Sequence, residues 1–299
     1  MSAGMIVSTF SIAAVDRDSG EVGVAVASRF LAVGAVVPWA RAGAGAIVTQ
    51  AMANMADGTR GLDLLAQGLS AEETLARLTH DDPELEHRQI ALVALGGGSA
   101  AHTGGMCMPW AGHRGGPGYT CQGNILSGPR VVDAMADAFE SSGGPLPERM
   151  LGAIRAGEAI GGDSRGRQSA ALYVAKEGGS FGGHLDRFID LRVDDHPDPL
   201  PEVARLLELH RQTFGSGGRP TLVRLQGNVV REVQRALKTL GYYSGELTAM
   251  YDTETSAAMQ SFCNVENLEE RLAASRDKGP EWTDREIVNL LRSRGGLAK

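Results

Sequence analysis

Gly161 to Val174 reads GGDSRGRQSAALYV, a glycine-bracketed loop that carries Asp163, Arg165 and Arg167 straight into an apolar strand. A loop that only connects two elements has little use for a carboxylate, two guanidiniums, an amide and the hydroxyls of Ser164 and Ser169, because each must be solvated or hydrogen-bonded. The cluster reads as polar chemistry aimed into a site; a solvated turn is the plainer alternative. Downstream, Ser169 to Ala175 forms a strand that turns at Glu177 to Gly183 and pairs with Phe188 to Val193, and a helix over Pro201 to Thr213 follows. Upstream lie two helical stretches, Val131 to Ser141 and Leu146 to Ala156.

The N-terminal third repeats this alternation. Ile6 to Val15 and Val22 to Ser28 are β-rich runs separated by the turn residues Asp16 to Glu21, which predicts a hairpin. A third strand, Gly45 to Gln50, follows a loop at Val37 to Gly43. Leu62, Leu65 and Leu69 then space at helical intervals, and Ser70 stands three residues before Glu73, the spacing of a capping box. Asp81-Asp82-Pro83 stops that helix. Gln89 to Leu95 and Ala100 to Thr103 form another hairpin about Gly96 to Gly98, and the glycine-rich segment Gly112 to Gly118 leads into a strand at Tyr119 to Leu126. Strands, then helices, then strands again favour antiparallel sheets with helices packed outside, an α+β fold.

Composition bounds the partners. The 299 residues are 42% hydrophobic and 22% charged, enough for a sizeable core in one large and one small domain. A net charge of −7 offers no basic stripe for nucleic acid. Cys107, Cys121 and Cys263 make neither a CxxC pair nor a regular framework, so a disulfide scaffold is not expected. The absence of a long apolar span or a leader-like start predicts no membrane partner and a cytoplasmic location. The glycine-rich segments lack the lysine and Ser/Thr ending of a phosphate loop. His80-Asp81-Asp82 and Asp194-Asp195-His196 hold metal-compatible side chains but read equally as a helix end and a turn. No metal is therefore assigned, and a metal-dependent hydrolase stands as an alternative. His113 is a candidate for substrate binding or acid–base work, and Arg88-Gln89 for holding a substrate carboxylate.

Thr9-Phe10-Ser11-Ile12, Val33 to Trp39, Thr49-Gln50, Arg88-Gln89, Gln122-Gly123-Asn124, GGDSRGRQSAALYV and the LRVDDHPDP stretch from Leu191 resemble the DUF1028 family over roughly residues 6 to 213. The resemblance implies a four-layer αββα sandwich of the N-terminal-nucleophile hydrolase type, and with it cleavage of an amide bond in a small or peptide-like substrate. Thr9 is the residue that matches the family's leading threonine. In such enzymes the threonine hydroxyl attacks a carbonyl and its own α-amine serves as base, which here requires the Ser8–Thr9 bond to be cut. The resemblance further implies Asp163 and Ser169 as orienting residues and Asn124 with neighbouring N–H groups as the oxyanion site. Arg88, Gln89, His113, Arg165, Gln50 and Ser28 are the expected substrate contacts. No cofactor is implied, and a catalytically silent small-molecule or wall-fragment binding protein is the other reading.

Val229 to Leu268 resembles the peptidoglycan-binding-like domains, with Gln234-Xaa-Xaa-Leu237, Leu240-Gly241-Tyr242, an acidic turn, and Thr255 to Phe262 in the second helix. Ala249 stands where glycine is usual and Cys263 where glutamine is usual. The expected layout is a sandwich domain over residues 1–214, a flexible linker at 215–221 and a small helical domain over 222–299. The expected partners are a small-molecule or peptide-like substrate, a second copy of the chain in a homo-oligomer, and peptidoglycan through the helical domain.

Overall fold

The computed structural model describes residues 9–215 and 221–297; the expected strand start at 6–8 and the linker residues 216–220 lie outside the described residues. The chain opens with a hairpin of β1 (Thr9–Asp16) and β2 (Glu21–Ser28), followed by β3 (Pro38–Arg41) and β4 (Gly45–Ala51). Two helices, α1 (Ala56–Ala66) and α2 (Ala71–Thr79), precede β5 (Arg88–Ala94), β6 (Ser99–Thr103), β7 (Gly112–Gly116) and β8 (Tyr119–Asn124). Helices α3 (Arg130–Ser141) and α4 (Leu146–Ala159), strands β9 (Ser169–Ala175) and β10 (Arg187–Val193), and α5 (Pro199–Phe214) follow. Beyond the linker come β11 (Leu222–Arg224), α6 (Asn228–Thr239), α7 (Thr253–Val265), α8 (Glu269–Arg276), β12 (Trp282–Asp284) and α9 (Arg285–Arg294). The chain divides into two compact units between Leu207 and Glu208.

The first unit is a four-layer αββα sandwich. One sheet has the order β10-β9-β2-β1-β8-β7 and the other β3-β4-β5-β6, with every neighbour antiparallel. Strand alternation sorts the residues of β1 between two cores. Phe10, Ile12 and Ala14 pack with Val132, Met135, Met150 and Ile154 of α3 and α4. Ala13 and Val15 instead join Val22, Val24 and Val26 of β2 and Val48 and Val93 of the facing sheet. A third core sets Ile47, Ile90 and Leu92 against Leu62, Leu65 and Leu78 of α1 and α2. Burial of each such side chain contributes about 1.5–3 kcal/mol, and the cores fix which face of each strand is inward.

Local signals hold where they are strongest. Ser70 and Glu73 form both arms of the capping box, with Glu73 N donating to Ser70 Oγ at 3.1 Å and Ser70 N to Glu73 Oε2 at 2.8 Å. Two segments differ from their sequence reading. Residues Pro38–Arg41, expected within a loop, pair as a strand with β4, and Trp39 lies against α1, where a Cβ at Gly58 would come within 2.2 Å of the ring. Gly112–Gly116, read only as part of a glycine-rich segment leading into the next strand, pairs as an edge strand with β8. In both cases the partner strand overrides a weak local propensity.

The second unit is chiefly helical, with Val233, Leu237, Met259, Phe262, Ile287 and Leu291 in one core and a small β11–β12 ladder beside it. Gln234 is buried and explains the Gln-Xaa-Xaa-Leu pattern. Its Nε2 donates to Thr248 Oγ1, the Met250 carbonyl and Thr255 Oγ1 at 3.0–3.1 Å, and its Oε1 accepts Ala249 N at 3.1 Å. Ala249, at the glycine position of that turn, has φ +60°, the left-handed conformation that costs a side-chain-bearing residue about 1–2 kcal/mol.

Candidate functional site

The register of the six-stranded sheet aligns one row of polar residues across four neighbouring strands. Ser169 pairs with Ser28 and Thr9 with Asn124, while the Phe10–Ala27 pair places Thr9 opposite Ser28. All four are buried. Opposed residues of an antiparallel pair share a face, and this face is the one that meets the second sheet. Thr9 Oγ1 donates to Ser28 Oγ at 3.4 Å. Ser169 Oγ donates to the Phe30 carbonyl at 2.5 Å and accepts Val33 N at 3.1 Å, so it fixes the loop that leaves β2.

Behind the row, on the β1 and β8 side, amides fill the space between the sheets, while Val26 and Ala171 keep the β2 and β9 side apolar. Gln89 Nε2 lies 3.2 Å from the Gly112 carbonyl and 2.9 Å from that of Gly123, which forces its nitrogen to that side because a carbonyl only accepts. Its Oε1 consequently accepts from Gln50 Nε2 at 2.7 Å and Asn124 Nδ2 at 3.1 Å. Gln122 Nε2 donates to the Ser11 carbonyl at 3.1 Å and Ser11 Oγ at 2.7 Å, and Ser11 Oγ donates to Gln50 Oε1 at 2.7 Å. Gln50 Nε2 also reaches the Thr9 carbonyl at 3.4 Å. A buried network in this state rigidifies the strand ends it joins.

The 161–168 loop closes the same end. Asp163 is buried; its Oδ2 accepts Arg29 N and Arg165 Nη2, each at 2.9 Å, and its Oδ1 accepts Arg165 N at 3.0 Å and Arg165 Nε at 3.2 Å. It thereby holds the residue that follows Ser28. Ser164 N donates to the Ile125 carbonyl at 2.9 Å, and Asp163 bridges Leu126, which ties the loop to the end of β8. Ile125 and Ala51, the residues after Asn124 and Gln50, have φ +52° and +61°. Left-handed geometry at a β-branched residue is a genuine strain, and such strain collects at functional sites. A cavity of about 140 Å³ opens here, lined in part by Phe10, Ser28, Glu158, Asp163 and Ser169.

The expected residues thus fall into groups. Thr9, Ser28, Asn124 and Ser169 share the row, Gln50 and Gln89 the network behind it, and Asp163 and Arg165 the closing loop. Arg88 is engaged elsewhere: its Nε donates to Asp82 Oδ2 at 3.0 Å and its Nη1 to the Met52 carbonyl at 2.5 Å. Burial raises the Asp82 carboxyl, but hydrogen bonds from Arg88 and Glu84 N outweigh it and hold the group below its ordinary value. His113 meets the network only at its rim, through Thr103 Oγ1 at 2.9 Å from Nδ1, and desolvation together with His102 lowers its pKa. His80 pairs with Asp81 on the surface, and His196 bonds the backbone of Asp198. Among the described residues no three His, Cys, Asp or Glu side chains converge on a point. Sequence reading gave no role to Ser11 and Gln122, although both fall in motifs it quotes, nor to Thr120, whose Oγ1 donates to Gln122 Oε1 at 3.1 Å; the available signal was polar residues at every second position of strands otherwise apolar. It also missed Glu158, whose pKa burial raises although Arg167 Nε lies 3.2 Å away.

Among the described residues, no helix is long and apolar enough to cross a membrane. No curated protein matches the chain. The crystal structure of a DUF1028 protein from Silicibacter pomeroyi is similar to it, with a TM-score of 0.62 and 30% sequence identity over 68% of this chain and 89% of that one. Residues 218–290 match the family model described as "Putative peptidoglycan binding domain". Residues 9–203, which contain the whole sandwich row and its amide network, match the model described as a family of unknown function, and the chain belongs to that family, DUF1028.

Proposed function

We propose that the sandwich unit is an amidohydrolase of the N-terminal-nucleophile type that cleaves an amide bond in a small or peptide-like compound. The observation that carries this reading is the position of Thr9: it opens the first strand, its hydroxyl faces Ser28, and its row continues to Ser169 and Asn124. Cutting the Ser8–Thr9 bond would free the Thr9 α-amine, which titrates near ~8 and serves as base. The amine takes the hydroxyl proton as Oγ1 attacks the substrate carbonyl carbon. Asn124 and backbone N–H groups at the strand ends hold the oxyanion. The protonated amine then gives its proton to the departing amine as the C–N bond breaks, and water hydrolyses the acyl ester on Thr9. In this reading Asp163 and Ser169 keep the residues after Ser28 in place, and Arg165, Gln50 and Gln89 set the walls. A cytoplasmic setting is part of the reading; three cysteines that are free and buried accord with it.

The test is intact-mass and N-terminal sequence analysis of the chain purified from its own host, followed by an amide panel assayed for acyl-enzyme formation. The expected result is a chain beginning at Thr9 whose acyl adduct disappears in Thr9→Ala and persists in Thr9→Ser. A mature chain that retains the residues before Thr9 refutes the mechanism. The match over residues 218–290 favours a second reading, a catalytically silent protein that binds wall fragments. Retention of those residues together with binding of soluble peptidoglycan fragments would select it.

A further inference from the structure

A wider cleft of about 560 Å³ borders the cavity beside Ser28 and Asp163, with Gly166 and Arg167 lining both. The charged groups of this cleft are Arg29, Arg167 and Asp195, with His196 beside them. Arg167 is neutralised, its Nε 3.2 Å from Glu158 and its Nη1 3.0 Å from Asp198. His196 Nδ1 is held by the Asp198 backbone at 2.8 and 3.0 Å. Arg29 and Asp195 differ. Among the described residues, Arg29 Nη1 donates only to the Arg165 carbonyl, at 3.0 Å, and Asp195 Oδ1 accepts only the Gln168 amide, at 3.1 Å. Among the described residues neither has an oppositely charged side chain within ion-pair distance.

Both groups are anchored. Asp163 fixes the backbone of Arg29, and Gly166 lets the loop pass under its guanidinium, with φ +107° and a Cβ position 3.4 Å from Nη1. A fixed guanidinium presents a planar fork suited to carboxylate, and a carboxylate accepts ammonium donors. We propose that this cleft binds a zwitterionic ligand of the amino-acid class, its carboxylate on Arg29 and its ammonium group on Asp195. That anchors a polar head group in the cleft next to the cavity lined by Ser28, the hydroxyl partner of Thr9. Its role as a substrate site rests on the hydrolase reading; the binding itself does not.

The experiment titrates the full-length chain calorimetrically with the linear ω-amino acids from glycine to 6-aminohexanoate, in which only the separation of the two charges changes. The expected result is one preferred length, bound at least tenfold more tightly than its methyl ester and its N-acetyl derivative. Arg29→Gln should erase the discrimination against the ester and Asp195→Asn that against the acetyl derivative, while Arg29→Lys keeps part of the former. Both side chains are exposed, and unchanged circular dichroism confirms that the variants fold. Failure of every length to bind, equal binding of a blocked derivative, or discrimination that survives the substitutions overturns the proposal. The unsubstituted chain separates the two readings, since binding by a mature chain that retains the residues before Thr9 and cleaves no amide removes the hydrolase and leaves this site.

Discussion

Replacing Gln89 by methionine preserves volume and removes the centre of the amide network. Two buried donors, Gln50 Nε2 and Asn124 Nδ2, lose the acceptor they share at 2.7 and 3.1 Å; Gln50 Nε2 keeps its 3.4 Å contact with the Thr9 carbonyl, and Gln50 Oε1 keeps its bond from Ser11. A buried polar group deprived of its partner costs about 1–3 kcal/mol. Together with the Gly112 and Gly123 carbonyls, which lose the Gln89 amide, these changes give a destabilisation of about 3 kcal/mol. With a urea dependence of about 2 kcal/mol/M, the midpoint should fall by about 1.5 M at unchanged slope. Tryptophan fluorescence in a Trp282→Phe background follows the sandwich alone, because Trp39 and Trp110 both lie within it. Exposed Gln67→Met is the control and should move the midpoint by no more than about 0.5 kcal/mol equivalent. A drop below about 0.5 M for Gln89→Met, worth about 1 kcal/mol, would refute the claim that this network stabilises the site end of the sandwich.

Further outcomes are expected. Gln89 Nε2 cannot accept a proton, so the Thr103 hydroxyl donates to His113 Nδ1 and leaves the ring proton on Nε2; nitrogen NMR should find that tautomer, and a ring protonated at Nδ1 refutes it. Because desolvation and His102 lower the folded pKa of His113 below its unfolded value of about 6.5, its contribution to stability is present above that pH and lost as pH falls through the folded value. Thr103→Val should move the NMR midpoint upward. Ala249→Gly relieves left-handed strain but frees the unfolded chain, for a net gain of about 0.5 kcal/mol in the helical unit. Loss of stability in that variant, read by thermal unfolding, would contradict the strain argument.

The sequence by itself determined the features that depend on neighbours along the chain. The Asp16 to Glu21 turn, the Ser70–Glu73 cap and the helices over Val131 and Leu146 arise from local hydrogen bonding and 3.6- or 2-residue periodicity, and they are in place. The α+β class follows from their order. Asp163 and Ser169 stood out as polar chemistry, and Thr9 and Asn124 through the family resemblance, but Thr9, Asn124 and Ser169 were not legible as neighbours, because what joins them is the register of β9, β2, β1 and β8, set by contacts more than a hundred residues apart. Strands β3 and β7 exist only because β4 and β8 offer unpaired backbone edges to segments of weak propensity. Tertiary structure alone decided that Arg88 turns to Asp82 and that Ser11 and Gln122 face Gln50. Side chains on opposed sheets choose partners by distance and donor geometry once the apolar cores have fixed which face is inward, and a linear sequence encodes neither.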